Sequence, residues 1–134
     1  MAANHELVKD VHLVILSGPL NASQAQQIVH VFRELSERGT KRVVVDLEDV
    51  LFIDGPGLAA LIAGYEFFGS DSQNFRLAGI QEQPRLLFDL TGFDRVFAIF
   101  DSVSEASTEG ETECTTTTIP LFSHHWQRQV ATAV

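Results

Sequence analysis

Residues 42–66 read RVVVDLEDVLFIDGPGLAALIAGYE, and they predict a strand followed directly by a helix. The run VVVDL at 43–47, which begins with three β-branched valines, is typical of a strand buried on both faces of a sheet. An apolar run then ends at Asp54, and a second apolar series follows with the spacing of one helical face. Its members are Leu58, Leu61, Ile62, Tyr65 and Phe68. The stretch predicts a strand-to-helix junction, the unit from which α/β proteins are built.

The chain on either side of this stretch continues the alternation of strands and helices. Apolar runs predict further strands at 11–16, 75–80 and 95–100, and a short strand at 6–8 that pairs with 11–16 through a turn near Lys9 and Asp10. Helical spacing predicts helices at 22–37 and 82–91 and a last turn at 102–106. Asn21 and Gly39 suit the two ends of the first helix. The order predicts a single α/β domain with a mixed, mostly parallel sheet of four or five strands and about four helices.

The two ends of the chain differ from this central part. Residues 1–5 form an N-terminal leader, and residues 6–106 form the predicted domain. From residue 107 the sequence is polar and rich in threonine, which predicts disorder for residues 107–134. Leu121, Phe122, Trp126 and Val130 give the end of this tail a weakly amphipathic, helix-like spacing, which fits either a docking segment or a frayed end.

The composition excludes several classes of partner. The 134 residues carry a net charge of −9 without a cluster of Lys and Arg, which argues against nucleic acid and against an anionic membrane surface. A lone cysteine, Cys114, permits no internal disulfide and suits a reducing compartment. The N-terminus has no signal-peptide pattern, and no apolar run is long enough for membrane insertion. We therefore expect a cytoplasmic protein.

The candidate catalytic and metal-binding groups are weak. None of the five histidines follows a central strand, where α/β sheets place their sites. Cys114 with His124 and His125 matches no standard zinc spacing. Asp46 and Glu48 could form a carboxylate pair but lack a third group, and the sequence has no phosphate-binding glycine loop. We expect no catalytic residues, no metal and no cofactor.

The junction at Asp54 has two interpretations. Asp54 can cap the following helix, and Pro56 fits the first turn, where a missing N–H costs nothing. Gly55 and Gly57 expose the backbone and permit close approach by another chain. The junction is thus either a well-formed helix cap alone or a contact surface built around such a cap.

Three segments together resemble the STAS family, whose best-known members are bacterial anti-sigma factor antagonists. They are GPLNASQAQQI, the stretch RVVVDLEDVLFIDGPGLAALIAGYE, and RLAGIQEQPRLLFDLTGFDRVFAIFDSVSEA. The resemblance covers about residues 6–106, and the tail has no counterpart in it. It implies a small α/β domain without catalytic activity. It also implies a partner, an anti-sigma factor that is a serine kinase of the histidine-kinase-like ATPase type, or another regulatory protein.

The resemblance also implies a switch, and this sequence departs from it there. The family has Asp-Ser-Ser-Gly or Asp-Ser-Thr-Gly at the start of the second helix, and its kinase phosphorylates the first serine. Asp54 and Gly57 match this pattern, whereas Gly55 stands at the phosphoacceptor position and Pro56 at the next hydroxyl. Asn21 replaces an acidic residue of the family. The implied partner-binding residues are Asn21, Asp54, Gly55, Pro56, Gly57 and Leu58, without phosphorylation at Gly55.

Other functions stay open at the level of sequence. A STAS accessory subunit of a lipid-transport ATPase, or of a sensory complex, would suit the missing phosphoacceptor. A nucleotide or another anion could bind at the helix N-terminus after Asp54, although Asp54 would repel it. Phosphorylation could fall elsewhere, and a homodimer stays open. The hydroxyl candidates are Ser70, Ser72, Ser102, Ser104 and Thr115 to Thr118.

Overall fold

The computed structural model describes residues 11–107, 114–120 and 129–133. Within them lie the strands β1 (Val11–Ser17), β2 (Arg42–Asp49), β3 (Phe75–Ala78), β4 (Ala98–Phe100), β5 (Cys114–Pro120) and β6 (Gln129–Ala133). The helices are α1 (Ala22–Glu37), α2 (Gly55–Phe67), α3 (Glu82–Thr91) and α4 (Val103–Ala106), with a 3-10 turn at Phe93–Arg95. The predicted leader at 1–5 and strand at 6–8 lie outside the described residues.

All six strands join one sheet in the order β4-β3-β2-β1-β5-β6. The first five run parallel to their neighbours, and β6 pairs antiparallel with β5. The valines at 43–45 in β2 are buried, as their continuous apolar run predicts. The predicted α/β fold with a mostly parallel sheet is confirmed, and the described chain adds strands that the prediction did not contain.

Aromatic rings fill the core between the sheet and its helices. Phe32 of α1 meets Phe75 of β3 edge-on, with ring centroids 5.1 Å apart. A Cβ placed on Gly64 of α2 would lie 2.7 Å from the Phe75 ring, so this glycine lets α2 sit close to both rings. Such close-packed interiors tolerate little added volume. The packing fixes α1 and α2 on one face of the sheet, where both helices begin at the same edge.

The last strand of the predicted domain is shorter than the sequence suggested. A strand was predicted at 95–100, but β4 covers only Ala98–Phe100. Gly92 ends α3 with a φ of 81°, and the chain turns through Phe93–Arg95 before it extends. Phe97 then stacks on Phe88 at a centroid distance of 5.5 Å. Burial of this ring outweighs the strand preference of the residues before it.

The two described parts of the tail are strands, whereas the sequence predicted disorder for residues 107–134. Cys114–Pro120 pairs in parallel with β1, from His12 opposite Thr115 to Ser17 opposite Pro120. Gln129–Ala133 is also a strand, in place of the weak helical spacing expected there. Threonine is β-branched and favours strands, and this preference outweighs the polar composition once a sheet edge is available for pairing.

Strand β5 contributes to the main core as well as to the sheet. The Ile119 side chain is fully buried within the core cluster, and Thr117 is also buried. The Thr117 hydroxyl lies 2.6 Å from His12 Nε2, which gives both buried polar groups a hydrogen bond. β1 thus pairs on both sides, with β2 and with β5, and has no open side for another strand.

Candidate functional site

The pairing of β1 with β2 extends beyond the strands and brings the starts of α1 and α2 together. Leu20 and Ile53 form an isolated parallel bridge. The Leu20 N–H donates to the Phe52 carbonyl at 2.9 Å, and the Asp54 N–H donates to the Leu20 carbonyl at 3.2 Å. The residues that follow the bridge, Asn21 and Asp54, therefore lie side by side. The N-termini of α1 and α2 therefore lie at the same edge of the sheet, where β1 and β2 end.

Each of these helices begins with a side-chain cap. Asn21 Oδ1 accepts from the Ser23 N–H at 3.0 Å, and Asp54 Oδ1 accepts from the Gly57 N–H at 2.8 Å. Both capping residues have extended backbones, as the N-cap position requires. The predicted caps are confirmed. The Asp54 carboxylate also suits the partial positive charge of the α2 N-terminus.

Removal of the Asp54 cap is expected to weaken the start of α2. In Asp54→Ala the Gly57 N–H loses its acceptor, which should lower the free energy of unfolding by about 0.5–2 kcal/mol. Urea unfolding followed by circular dichroism measures this change. Asp54→Asn is the matched control because asparagine can accept the same hydrogen bond. Equal stability of the alanine and asparagine variants would show that the cap contributes nothing.

The two glycines of the junction have opposite surroundings. A Cβ at Gly57 would overlap the Leu20 carbonyl oxygen and lie 2.9 Å from its carbon, so only glycine fits there without a shift. A Cβ at Gly55 would meet no atom within 4 Å. Gly57 thus lets the first turn of α2 sit against Leu20, whereas Gly55 faces open space.

The predicted partner-binding residues divide into an exposed and a buried group. Gly55 and Pro56 are exposed, and Asn21 and Asp54 are half-buried beside them. Gly57 and Leu58 are buried, and they support the surface from below. The structure therefore brings the six residues together but leaves four of them within reach of another molecule.

Gln83 is a member of this site that the sequence analysis missed. Its Oε1 accepts from the Ile53 N–H at 2.9 Å, and its Nε2 donates to the Ile53 carbonyl at 3.1 Å. The side chain thereby satisfies both backbone groups of a residue in the β2–α2 loop (residues 50–54). The two residues are 30 positions apart, so no local pattern in the sequence could indicate the contact.

A groove lies beside the junction, between α1 and α2. It has a volume of about 570 Å³ and is lined by small and apolar side chains that include Ala25, Val29 and Ala59. Pro56 forms part of its wall, and His30 and Arg33 supply polar groups. A shallow apolar groove of this kind suits a side chain of a protein partner.

Within the described residues, the other candidate catalytic and metal-binding groups form no metal site. Asp46 Oδ1 accepts from the Glu48 N–H at 3.0 Å, which is a local hydrogen bond within β2. His12 is buried against Thr117, and His30 lies exposed on α1. Across residues 11–107, 114–120 and 129–133, no cluster of side chains could hold a metal ion. His124, His125 and the Cys114 side chain lie outside the described parts.

Two of the alternative hydroxyl groups already have structural partners. Ser102 Oγ accepts from the Glu105 N–H at 3.2 Å as the cap of α4. Thr117 is fully buried. Ser70 and Ser104 are exposed, and phosphorylation at these positions stays a prediction.

Among the described helices, none combines the length and the hydropathy needed to cross a bilayer.

The comparison with protein families decides the relationship. The STAS domain model matches residues 3–106. The chain belongs to the STAS family. The match includes β1–β4 and all four helices, and it ends before β5 and β6. In this STAS domain, the C-terminal strand pair therefore lies outside the matched region.

Several similar proteins are named as anti-sigma factor antagonists. A Thermotoga maritima protein, provisionally named an anti-sigma factor antagonist, is 28% identical over 106 residues, which are 78% of this chain and 94% of that protein. The anti-sigma-B factor antagonist of Staphylococcus epidermidis is 26% identical and covers 62% of this chain and 77% of its own length. A Thermotoga maritima crystal structure with the same provisional name superposes with a TM-score of 0.63 at 26% identity, covering 72% of this chain and 84% of that one.

Proposed function

We propose that this STAS domain is a non-catalytic binding module that acts as an anti-sigma factor antagonist in the cytoplasm. The observation that carries the proposal is the pair of helix N-termini held side by side by the Leu20–Ile53 bridge. Gly55 and Pro56 are exposed in the first turn of α2, and hydrogen bonds from Leu20 and Gln83 hold the β2–α2 loop directly before them. The names of the relatives support the same function.

The proposed partner is an anti-sigma factor with serine kinase activity. Such a partner would contact Asn21, Asp54, Gly55 and Pro56 and could insert a side chain into the groove between α1 and α2. The β2–α2 loop is already hydrogen-bonded to its neighbours, and Pro56 restricts the backbone of the first turn of α2 that follows it. A rigid surface loses little conformational entropy on binding, which favours affinity.

Binding through this surface would not be switched at the usual position. In the family pattern Gly55 stands at the phosphoacceptor serine, and residues 50–68 contain neither Ser nor Thr. A phosphate at this position would add about −1.5 to −2 charges and would disrupt the contact through repulsion from Asp54 and through the cost of desolvating the phosphate against an apolar partner surface. Without an acceptor, the domain stays in its binding state whatever the activity of the kinase.

Calorimetric titration against each anti-sigma kinase of the same genome tests the proposal. We expect the wild type to bind one of them equally well with and without prior incubation with the kinase and ATP. Gly55→Ser is expected to gain one phosphate by intact mass and then to lose binding at least tenfold. The open space around Gly55 accommodates the serine without repacking.

Gly55→Ala is the matched control, because it adds the same Cβ without a hydroxyl. Its affinity should be the same before and after incubation with the kinase and ATP. Absence of binding between the wild type and every such kinase would remove the anti-sigma function. A wild type that binds but loses binding after incubation with ATP would place the switch at another hydroxyl.

A further inference from the structure

Four large apolar side chains are exposed on one side of the proposed contact surface. Leu51 is 69% exposed and Phe52 45% in the β2–α2 loop, while Leu86 is 57% and Leu90 76% exposed on α3. We call these four residues the apolar strip. Single exposed apolar residues are ordinary, whereas several that lie together usually mark an interaction surface. The question is whether the two halves of the strip form one surface.

The Gln83–Ile53 hydrogen bonds join the two halves. Phe52 is the chain neighbour of Ile53, and Leu86 and Leu90 follow Gln83 by three and seven residues. Residues with this spacing lie along the same flank of a helix. The side-chain amide of Gln83 is thus hydrogen-bonded to the loop, and Gln83 lies at the N-terminal end of the flank that carries Leu86 and Leu90. Its two hydrogen bonds fix the loop half relative to the helix half.

The strip is also continuous with the surface that we propose for binding. Leu51 and Phe52 precede the cap residue Asp54 with only the buried Ile53 between them, and exposed Gly55 and Pro56 follow it. A partner seated on Gly55 and Pro56 would therefore meet Phe52 next and the flank of α3 beyond it. Interfaces place apolar side chains at their centre and polar groups at their rim, and Leu86 lies among Glu82, Arg85 and Asp89.

The charges around the strip indicate the chemistry of its occupant. Glu82 and Asp89 lie on the exposed side of α3 next to Leu86, and Asp49 is exposed just before the loop. Arg85 is the cation among them, and the whole chain carries a net charge of −9. An acidic rim repels nucleic acid and anionic lipid and attracts a protein surface with Lys or Arg around an apolar centre.

We propose that the apolar strip is a second contact area for the anti-sigma factor partner, which presents apolar side chains inside a basic rim. This proposal rests on the proposed function and extends its interface from the α2 N-terminus to α3. Gln83 acts in it as a positioning residue, because it holds the two halves in register without offering much surface of its own.

The double variant Leu86→Gln/Leu90→Gln tests the strip by calorimetric titration against the anti-sigma kinase that the wild type binds. Both positions are largely exposed, and glutamine is a good helix former, so the fold should not change. We expect the affinity to fall at least tenfold. Added salt should weaken wild-type binding, because it screens the attraction between the acidic and basic rims.

Val96→Thr is the matched control, since Val96 is an exposed apolar residue that precedes β4 and lies at the opposite edge of the sheet from the β2–α2 loop. It should bind as the wild type does. Gln83→Ala should weaken binding while Leu86 and Leu90 are still present, which separates positioning from contact. Pro56→Arg changes the surface at the α2 N-terminus and leaves the apolar strip intact, so its affinity measures the contribution of the α2 N-terminus alone.

The outcomes separate this proposal from the proposed function. If Pro56→Arg abolishes binding and Leu86→Gln/Leu90→Gln binds as the wild type does, the function stands and the strip is not part of the interface. If the wild type binds no kinase, both proposals fail. If sedimentation shows a wild-type dimer that the double variant dissociates, the strip joins two copies of this chain and the proposal is overturned.

Discussion

Gly57→Ala is expected to destabilise the domain by about 1–3 kcal/mol, although it adds only one methyl group. The new Cβ would overlap the Leu20 carbonyl oxygen, and the carbonyl is backbone that cannot rotate away. Either the first turn of α2 or the residues around Leu20 must shift. Such a shift would strain the Asp54–Gly57 cap and the Leu20–Ile53 bridge, which hold the surface that we propose for binding. The free energy of unfolding, measured with urea, and the affinity for the partner, measured by titration, should therefore fall together.

Gly55→Ala provides the control two residues away in the same turn. Its Cβ meets nothing within 4 Å, so the free energy of unfolding should change by less than about 0.5 kcal/mol. The pair of variants compares the same methyl group in a filled and in an open position. A Gly57→Ala variant as stable as Gly55→Ala would show that the contact with Leu20 does not restrict this turn.

Ile119→Ala is expected to have a larger effect, about 2–5 kcal/mol of the free energy of unfolding. The Ile119 side chain is fully buried in the same core as Phe32 and Leu61. Truncation would leave a cavity beneath β5, where the neighbouring strands hold the backbone in place. The family match ends at residue 106, so this result would show that the C-terminal strand belongs to the folding unit.

Thr118→Ala is the control for this prediction. Thr118 precedes Ile119 in β5 and is only half-buried, so alternation along the strand places its side chain on the opposite face. Truncation of the Thr118 side chain should lower the free energy of unfolding by less than about 1 kcal/mol. If Ile119→Ala were no more destabilising than Thr118→Ala, β5 would not be packed against the core in solution.

The parts of the fold that follow from local chemistry were predictable. The periodic apolar residues of α1 and α2 and their caps at Asn21 and Asp54 are confirmed within a residue of the predicted positions. Gly92 ends α3 as predicted, because its left-handed backbone suits a residue without a side chain. In each of these cases, residues a few positions apart determine the structure.

The parts that depend on distant residues were not predictable. The Thr-rich segment becomes a strand because β1 offers an edge to it, and composition alone indicated disorder. Gln83 is unremarkable in a helix until Ile53 lies beside it. The burial of Leu58 likewise depends on how α2 docks on the sheet, so the predicted binding residues included two that lie below the surface.

The pairing of β1 with β5 has a consequence for the order in which the domain is assembled. His12 and Thr117 meet across 105 positions of the chain, so their contact closes a long loop and carries a large entropic cost before any gain. During synthesis β1 emerges early, and the strand that covers its second side emerges after the rest of the STAS domain. Until then a nascent chain exposes an unpaired strand edge, the feature through which incompletely folded proteins associate with one another.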